Sequence, residues 1–267
     1  MLGKLIKYDV KALSRYIFPA FILSLVSALF LRINILLRNN VGENIFTNVM
    51  NGLSTVLFVV SVVAISIGAY IAYIIYFYKS TLGDQGYFYM SLPASADEYL
   101  VSKILSGAVL MLSAVLVSVL SLLILGAFNP EFNDAFKGLY EIWKEICKVT
   151  PGGKIIATLV INGVFSLFSA QFVVAFCILS GQLLGKKKIL GAFLAYLVLQ
   201  AIEGFFGQIA LLATLGTINV ESFALNDVAF AQFFTRLSTG GLIVGIIMMA
   251  FEYFVARFFL TKKLNLE

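Results

Sequence analysis

The sequence predicts an all-α membrane protein with about six transmembrane helices. Of its 267 residues, 61% are hydrophobic and only 12% are charged, which leaves too little polar surface to cover a water-soluble globule. Runs of about 20 apolar residues match the thickness of a bilayer, and each must be helical because lipid offers no partners for backbone polar groups. The predicted spans are Ile17–Leu37, Thr55–Phe77, Leu100–Ala127, Ile155–Leu184, Ile189–Leu215 and Gly240–Leu260. We expect them to form a single transmembrane domain over residues 1–267.

Residues 1–16 are predicted to form an amphipathic helix in the inner membrane interface. Helical spacing places apolar residues on one side, which are Leu2, Leu5, Ile6, Leu13 and Ile17, and basic residues on the other, which are Lys4, Lys7, Lys11 and Arg15. Such a helix directs its cations toward anionic headgroups, so membrane lipids are expected partners. The alternative is a basic start to the first transmembrane helix.

The distribution of charge predicts the orientation. If the N-terminus is inside, cytoplasmic segments hold 12 Lys and Arg residues against 5 acidic residues, whereas outer segments hold 7 of each. Basic residues near span ends favour the cytoplasmic side, so both termini are expected there. The formal net charge of +5 is then a consequence of topology, and no nucleic-acid partner is expected.

The composition argues against catalysis by this chain. It has no histidine, which removes Ser–His and Cys–His nucleophilic chemistry and the commonest metal ligand. Its two cysteines, Cys147 and Cys177, fall at different predicted depths, so no disulfide is expected. The stretch 181–187 (GQLLGKK) departs from a phosphate-binding loop in its glycine spacing and in the lysine that follows Lys186. We therefore expect a non-enzyme that binds no cofactor or metal.

Polar residues inside the predicted spans mark either helix packing or a substrate path. A carboxylate in the bilayer is costly unless it is protonated, paired or facing water, and Glu203 falls near the middle of the fifth span. Gln200 and Gln208 lie at helical offsets from it, while Asn162 and Ser166 form a similar stripe in the fourth span. Both interpretations stay open for all five residues.

Two further patterns indicate contacts between helices. Glu252 in the last span is expected to pair with Arg257 or with another helix. Small residues at four-residue spacing predict close helix packing. They are Ala64, Gly68 and Ala72 in the second span and Gly241 and Gly245 in the last.

Two outer connections are long enough to have structure of their own. Residues 128–153 show helical periodicity, and Tyr140 and Trp143 suit the headgroup region, which predicts an amphipathic outer segment. A packed cap over the bundle is the alternative. Residues 216–239 combine polar and aromatic residues and are predicted to form an outer hairpin.

The segment 78–99 joins the second and third spans on the predicted cytoplasmic side. Gly83 and Gly86 permit tight turns, and Ser95 with Glu98 forms a capping box that would begin the next helix. Between them lies the apolar and aromatic run Tyr87-Phe88-Tyr89-Met90. Exposed side chains of this kind indicate that a groove on another protein receives the loop.

This segment also carries a family resemblance. Phe77-Tyr78-Lys79-Ser80-Thr81-Leu82-Gly83-Asp84-Gln85-Gly86-Tyr87, followed by Ser91-Leu92-Pro93 and Ser102-Lys103, resembles a pattern in the membrane-spanning permease subunits of type-2 ABC exporters. The likeness is to exporters of the Gram-positive peptide-antibiotic (lantibiotic) export or immunity type. It covers nearly the whole chain in general organisation, but only residues 77–103 are specific. The long outer segment 128–153 departs from the more compact pattern that is commonest there.

The resemblance implies a coupling helix between helices 2 and 3 that seats in a cleft of a cytoplasmic ABC ATPase. Its implied coupling residues are Gly83, Asp84, Gln85, Gly86, Tyr87, Phe88, Tyr89, Met90 and Leu92. ATP and Mg would bind to the partner ATPase subunits. A second permease subunit, identical or related, would complete the transmembrane unit in the plasma membrane of a bacterium. A hydrophobic peptide or a lipid-like molecule is the implied cargo.

Two other functions stay open. One is a membrane scaffold or sensor that recruits a cytoplasmic partner without moving a substrate. The other is an ion-coupled transporter that uses Glu203 as its proton site, although the sequence has no detectable inverted repeat or broken helix pair.

Overall fold

The computed structural model describes residues 2–42, 44–83, 86, 94–126, 134, 137–138, 140–141, 144, 152–216 and 227–262. Within these residues the structure is helical and has no strand, as the sequence predicts. The long helices are α1 (Leu2–Val41), α2 (Ile45–Thr81), α3 (Ala96–Gly126), α4 (Gly152–Ser180), α5 (Lys188–Leu215) and α6 (Asp227–Lys262). A 3₁₀ segment, Gly181–Lys187, joins α4 to α5.

Six helices of the described chain are long and apolar enough to cross a membrane, which confirms the multi-pass prediction. Large apolar side chains are exposed along all six, as expected for surfaces that face lipid. The helices extend beyond the predicted apolar runs because their polar ends are helical as well. At 1.5 Å per residue the 40-residue α1 is about 60 Å long, roughly twice the hydrocarbon thickness. Part of α1 must therefore lie outside the hydrocarbon.

The N-terminal residues do not form a separate helix. Helix α1 runs without interruption from Leu2 to Val41 and includes Pro19. Its early residues Asp9, Leu13 and Ile17 are buried against protein. The predicted interfacial helix is thus the beginning of the first long helix, and its placement at the membrane surface stays a prediction.

The structure divides into two compact units, and the first comprises Met1–Thr81 and Val101–Lys137. An apolar cluster around Ala28, Leu31 and Phe58 forms part of its core. Buried serines add hydrogen bonds between helices: Ser27 to Ser61 at 2.7 Å joins α1 to α2, and Ser24 to Ser121 at 2.8 Å joins α1 to α3. Small hydroxyl side chains let helices approach closely and bond across the contact, which suits packing in lipid.

The second unit comprises Leu82–Leu100 and Gly138–Glu267 and is built mainly of α4, α5 and α6. A buried cluster around Cys177, Leu199 and Met248 draws one side chain from each of these helices. Gly181 and Gly191 bring the start of the 3₁₀ segment against the first turn of α5. A Cβ on Gly181 would lie 2.6 Å from the Ala192 nitrogen, so only glycine fits.

The predicted small-residue contacts are found in part. A Cβ on Gly245 would lie 2.6 Å from the Phe165 ring, so this position needs glycine unless the ring shifts. A Cβ on Gly241 would meet nothing within 4 Å, and one on Gly68 would make an ordinary 3.7 Å contact with Ile17. Close packing therefore depends on Gly245 in the last helix.

Most of the predicted outer segment 128–153, and residues 217–226 of the predicted hairpin 216–239, lie outside the described residues. Within 128–153, Asp134 and Lys137 are helical and form an exposed ion pair at 2.9 Å, and Tyr140 is helical and exposed. Within 216–239, residues 227–239 belong to α6. The outer amphipathic segment and the outer hairpin stay predictions.

Candidate functional site

The predicted coupling residues begin two positions after the end of α2. The Gly86 N–H donates to the Gly83 carbonyl at 2.8 Å, which closes the tight turn that the glycines predict. The remaining predicted coupling residues lie outside the described part of the chain. They are Asp84, Gln85, Tyr87, Phe88, Tyr89, Met90 and Leu92. We refer to residues 83–92 by their predicted role as the 83–92 loop.

The capping box after this loop is confirmed. The Glu98 N–H donates to Ser95 Oγ at 3.2 Å, and the Ser95 N–H donates to Glu98 Oε2 at 3.1 Å. These two bonds satisfy donors that the first turn of α3 would otherwise leave open, so α3 begins at Ala96. The chain therefore returns from the loop into a helix with a defined start.

A buried polar cluster joins α1 to the helix ends that flank the loop. Lys103 Nζ lies 2.8 Å from Asp9 Oδ1, and both side chains are fully buried. The Tyr76 hydroxyl donates to Asp9, Ser102 Oγ donates to Asp9 Oδ2 at 3.1 Å, and Lys103 Nζ lies over the Tyr76 ring. We call Asp9, Tyr76, Ser102 and Lys103 the Asp9 cluster.

The Asp9 cluster corrects one part of the sequence interpretation, which counted Asp9 and Lys103 as separate charges on the cytoplasmic side. The sequence does contain a signal for it. Asp9 lies four residues from Leu5 and from Leu13, on the apolar face of its helix, and Lys103 falls inside an apolar run. A charge in such a position needs a partner. Because one cation and one anion drop out of the cytoplasmic count together, the predicted difference in net charge between the two sides of the membrane is unchanged.

A second polar cluster holds the first turn of α3 against α6. Asp97 Oδ1 accepts from the Tyr253 hydroxyl at 2.7 Å and from Arg257 Nε at 2.8 Å. The Asp97 and Arg257 side chains are partly exposed, so this contact is weaker than a buried pair. The Arg257 alternative for Glu252 was wrong, because Arg257 pairs with Asp97.

Glu252 instead faces another carboxyl group. It lies on α6 and interacts with the Glu203 carboxyl group on α5, and the Cys177 thiol on α4 interacts with both carboxyl groups. Glu252 is 1% exposed, and neither of its carboxylate oxygens meets a hydrogen-bond donor among the described residues. The Gln200 amide donates to Glu203 Oε2 at 2.8 Å.

The structure does not join the other predicted path residues to this pair. Asn162 Nδ2 donates to Ser238 Oγ at 2.6 Å and therefore bonds α4 to α6. Ser166 is exposed and donates to the carbonyl of Gly163 on its own helix. Gln208 is exposed. Asn162 therefore contributes to packing between α4 and α6, which leaves a role in a substrate path open, and Gln200 is the predicted polar residue in contact with Glu203.

Comparisons with known proteins identify no relative. The chain matches no protein family, no curated protein and no solved structure.

Proposed function

We propose that this chain is the permease subunit of an ATP-driven ABC exporter that moves a hydrophobic peptide or a lipid-like molecule. The observation that carries the proposal is the sequence pattern over residues 77–103. Its glycines and aromatic residues form the 83–92 loop, and its Ser102-Lys103 pair belongs to the Asp9 cluster. In this function the loop seats in a cleft of a cytoplasmic ATPase, which binds ATP and Mg.

Mechanical coupling requires that the helices flanking the loop be stiff. On one flank, Phe77 is fully buried and Tyr76 is bonded to Asp9. On the other flank, the capping box fixes the start of α3, and Lys103 is held in the Asp9 cluster. A displacement of the loop would then move α2 and α3 as units instead of unwinding their ends. Alternation between inward- and outward-exposed arrangements follows if the transmembrane unit has two stable states.

A complete exporter of this kind also needs a second permease subunit, either a copy of this chain or a related one. The large exposed apolar side chains on all six helices provide surface for lipid and for such a subunit. The chain itself carries no catalytic role in this proposal, since hydrolysis takes place on the partner ATPase.

The experiment is co-purification of the ATPase with a loop variant. Removal of a buried aromatic anchor at an interface commonly costs on the order of 2–4 kcal/mol. In Tyr87→Ala combined with Phe88→Ala, we therefore expect loss of the ATPase from the complex purified from native membranes, or loss of transport with the ATPase still bound. Mass spectrometry of the purified complex and a transport assay measure the two results.

The exposed Tyr140→Ala is the matched control, because it removes an aromatic side chain from a predicted outer segment and should leave the ATPase bound. Membrane insertion should survive all these substitutions, since the spans are unaltered. Normal ATPase retention together with normal transport in the double variant would contradict the proposal. Retention of a cytoplasmic protein other than an ATPase would favour the scaffold or sensor function.

One observation favours a second candidate, an ion-coupled transporter that uses Glu203. The Glu203 carboxyl faces the buried Glu252 within the helical part of the second unit, as a proton site would require. Transport driven by a proton gradient in vesicles without ATP, and lost in Glu203→Gln, would support this candidate against the exporter.

A further inference from the structure

The position of Glu252 calls for a chemical explanation. It is almost completely buried on a helix long enough to span the membrane, and no described residue donates to either carboxylate oxygen. No described Lys or Arg forms an ion pair with it. An ionised carboxylate in such surroundings has lost its hydration and gained nothing in return, so the charged form is strongly disfavoured.

The groups around Glu252 come from each helix packed against it. From α5 comes the Glu203 carboxyl, and from α4 comes the Cys177 thiol. The apolar residues Leu199 and Met248 belong to the same packed region. The titratable groups that meet here are thus two carboxyls and a thiol, with no described cation to balance them.

The two carboxyl groups can satisfy each other only with a proton between them. Two carboxylates would present acceptors to each other and would repel. With one proton, the O–H of one carboxyl donates to an oxygen of the other. Because the Gln200 amide already donates to Glu203, Glu203 is the better acceptor, and Glu252, the more buried of the two, carries the proton.

We propose that Glu203 and Glu252 form a proton-binding site that holds one proton between their carboxyl groups at the packed junction of α4, α5 and α6. Release of the proton to water leaves two carboxylates facing each other. The bound proton therefore favours packing of α5 against α6, and its loss opposes that packing. The site is a property of this chain and does not rest on the exporter function.

The test uses the purified full-length chain in detergent and an apolar carbodiimide, dicyclohexylcarbodiimide, which modifies protonated carboxyl groups. Peptide mass spectrometry locates the label. At neutral pH we expect labelling of Glu252, and none of the exposed Glu141, which serves as the internal control. Above the pH at which the shared proton leaves, labelling should fall by about tenfold per pH unit.

Glu203→Gln tests whether the proton is shared. The new amide can donate to the Glu252 carboxylate in place of the proton, so labelling of Glu252 at neutral pH should fall several-fold. If this variant fails to fold, the labelling of the parent chain as a function of pH still tests the proposal. Absence of label on both carboxyls from acid to neutral pH would overturn the proposal. Equal labelling of Glu252 in the parent and in folded Glu203→Gln would also overturn it, because the proton would then belong to Glu252 alone.

Discussion

At the scale of single residues, the most informative feature is the Asp9 cluster. A fully buried Lys and Asp are costly to desolvate, and their attraction offsets this cost only when hydrogen bonds complete the pair. Here the hydroxyl groups of Tyr76 and Ser102 both donate to Asp9. The cluster therefore specifies how α1 meets α2 and α3, since a shift in register would separate Asp9 from Tyr76, Ser102 and Lys103.

We expect that Asp9→Asn lowers the free energy of unfolding by about 3–5 kcal/mol, because it removes the carboxylate that is paired with the fully buried Lys103 ammonium. Lys103→Met should also destabilise the protein, because it removes the cation that is paired with the buried Asp9 carboxylate. In the double variant both charges of this pair are gone, so the loss should be smaller than the sum of the two single losses. Thermal unfolding of the purified chain in detergent provides the measurement.

Lys137→Met is the matched control for this cycle, because it breaks an exposed ion pair with Asp134 and should change stability little. Strict additivity of the two single changes would show that Asp9 and Lys103 do not act as a pair.

At the scale of elements, the connection between α4 and α5 depends on two glycines. The sequence analysis argued that residues 181–187 are not a phosphate-binding loop, but it gave no reason for the glycines in this stretch. The structure supplies one, since Gly181 and Gly191 bring two backbones together and Gly185 adopts a positive φ of 55°. The contact between Gly181 and Gly191 could not be predicted from local sequence, because it joins backbones ten residues apart and depends on the shape of the turn between them.

Gly191→Ala should disturb this connection, because the added Cβ would fall on the Gly181 carbonyl oxygen. Backbone cannot yield as a flexible side chain does, so we expect a loss of about 1–3 kcal/mol, as for overpacked sites. The controls are Gly204→Ala and Gly207→Ala on the same helix, where the Cβ would meet nothing within 4 Å. They should be neutral or slightly stabilising, because alanine favours a helix over glycine. If Gly191→Ala unfolded at the same temperature as the two control variants, the close contact would be refuted.

At the scale of the whole molecule, composition predicted the architecture better than it predicted the contacts. Six apolar runs became six long helices because lipid leaves helices as the available solution for each run. The Asp9 cluster and the Glu203–Glu252 pair escaped prediction as pairs, since each joins residues far apart in the chain. Glu203 and Glu252 were each singled out because a carboxylate in an apolar run is visible by itself, whereas their pairing with each other is visible only after folding.

The orientation of the chain decides whether the 83–92 loop can meet a cytoplasmic ATPase. We expect both termini and this loop inside, because 12 of the 19 Lys and Arg residues fall in the inner segments. The test places single cysteines in a background with Cys147 and Cys177 replaced by serine. A membrane-impermeant maleimide on intact cells should then label cysteines at Asn44 and Asn226, and should label those at Gln85 and Lys187 only after permeabilisation.

Asn44 and Lys187 are the decisive positions, because both are exposed beside the end of a helix and need no local unfolding to react. Labelling of all four cysteines after permeabilisation is the control for reactivity. If the cysteine at Lys187 reacted in intact cells and the one at Asn44 did not, the chain would be inverted. The 83–92 loop would then lie outside, where no ATP-binding subunit could reach it, and the exporter proposal would fail together with the predicted topology. The proton-binding site would be unaffected by that result, because it depends on α4, α5 and α6 packing together and not on which side they face.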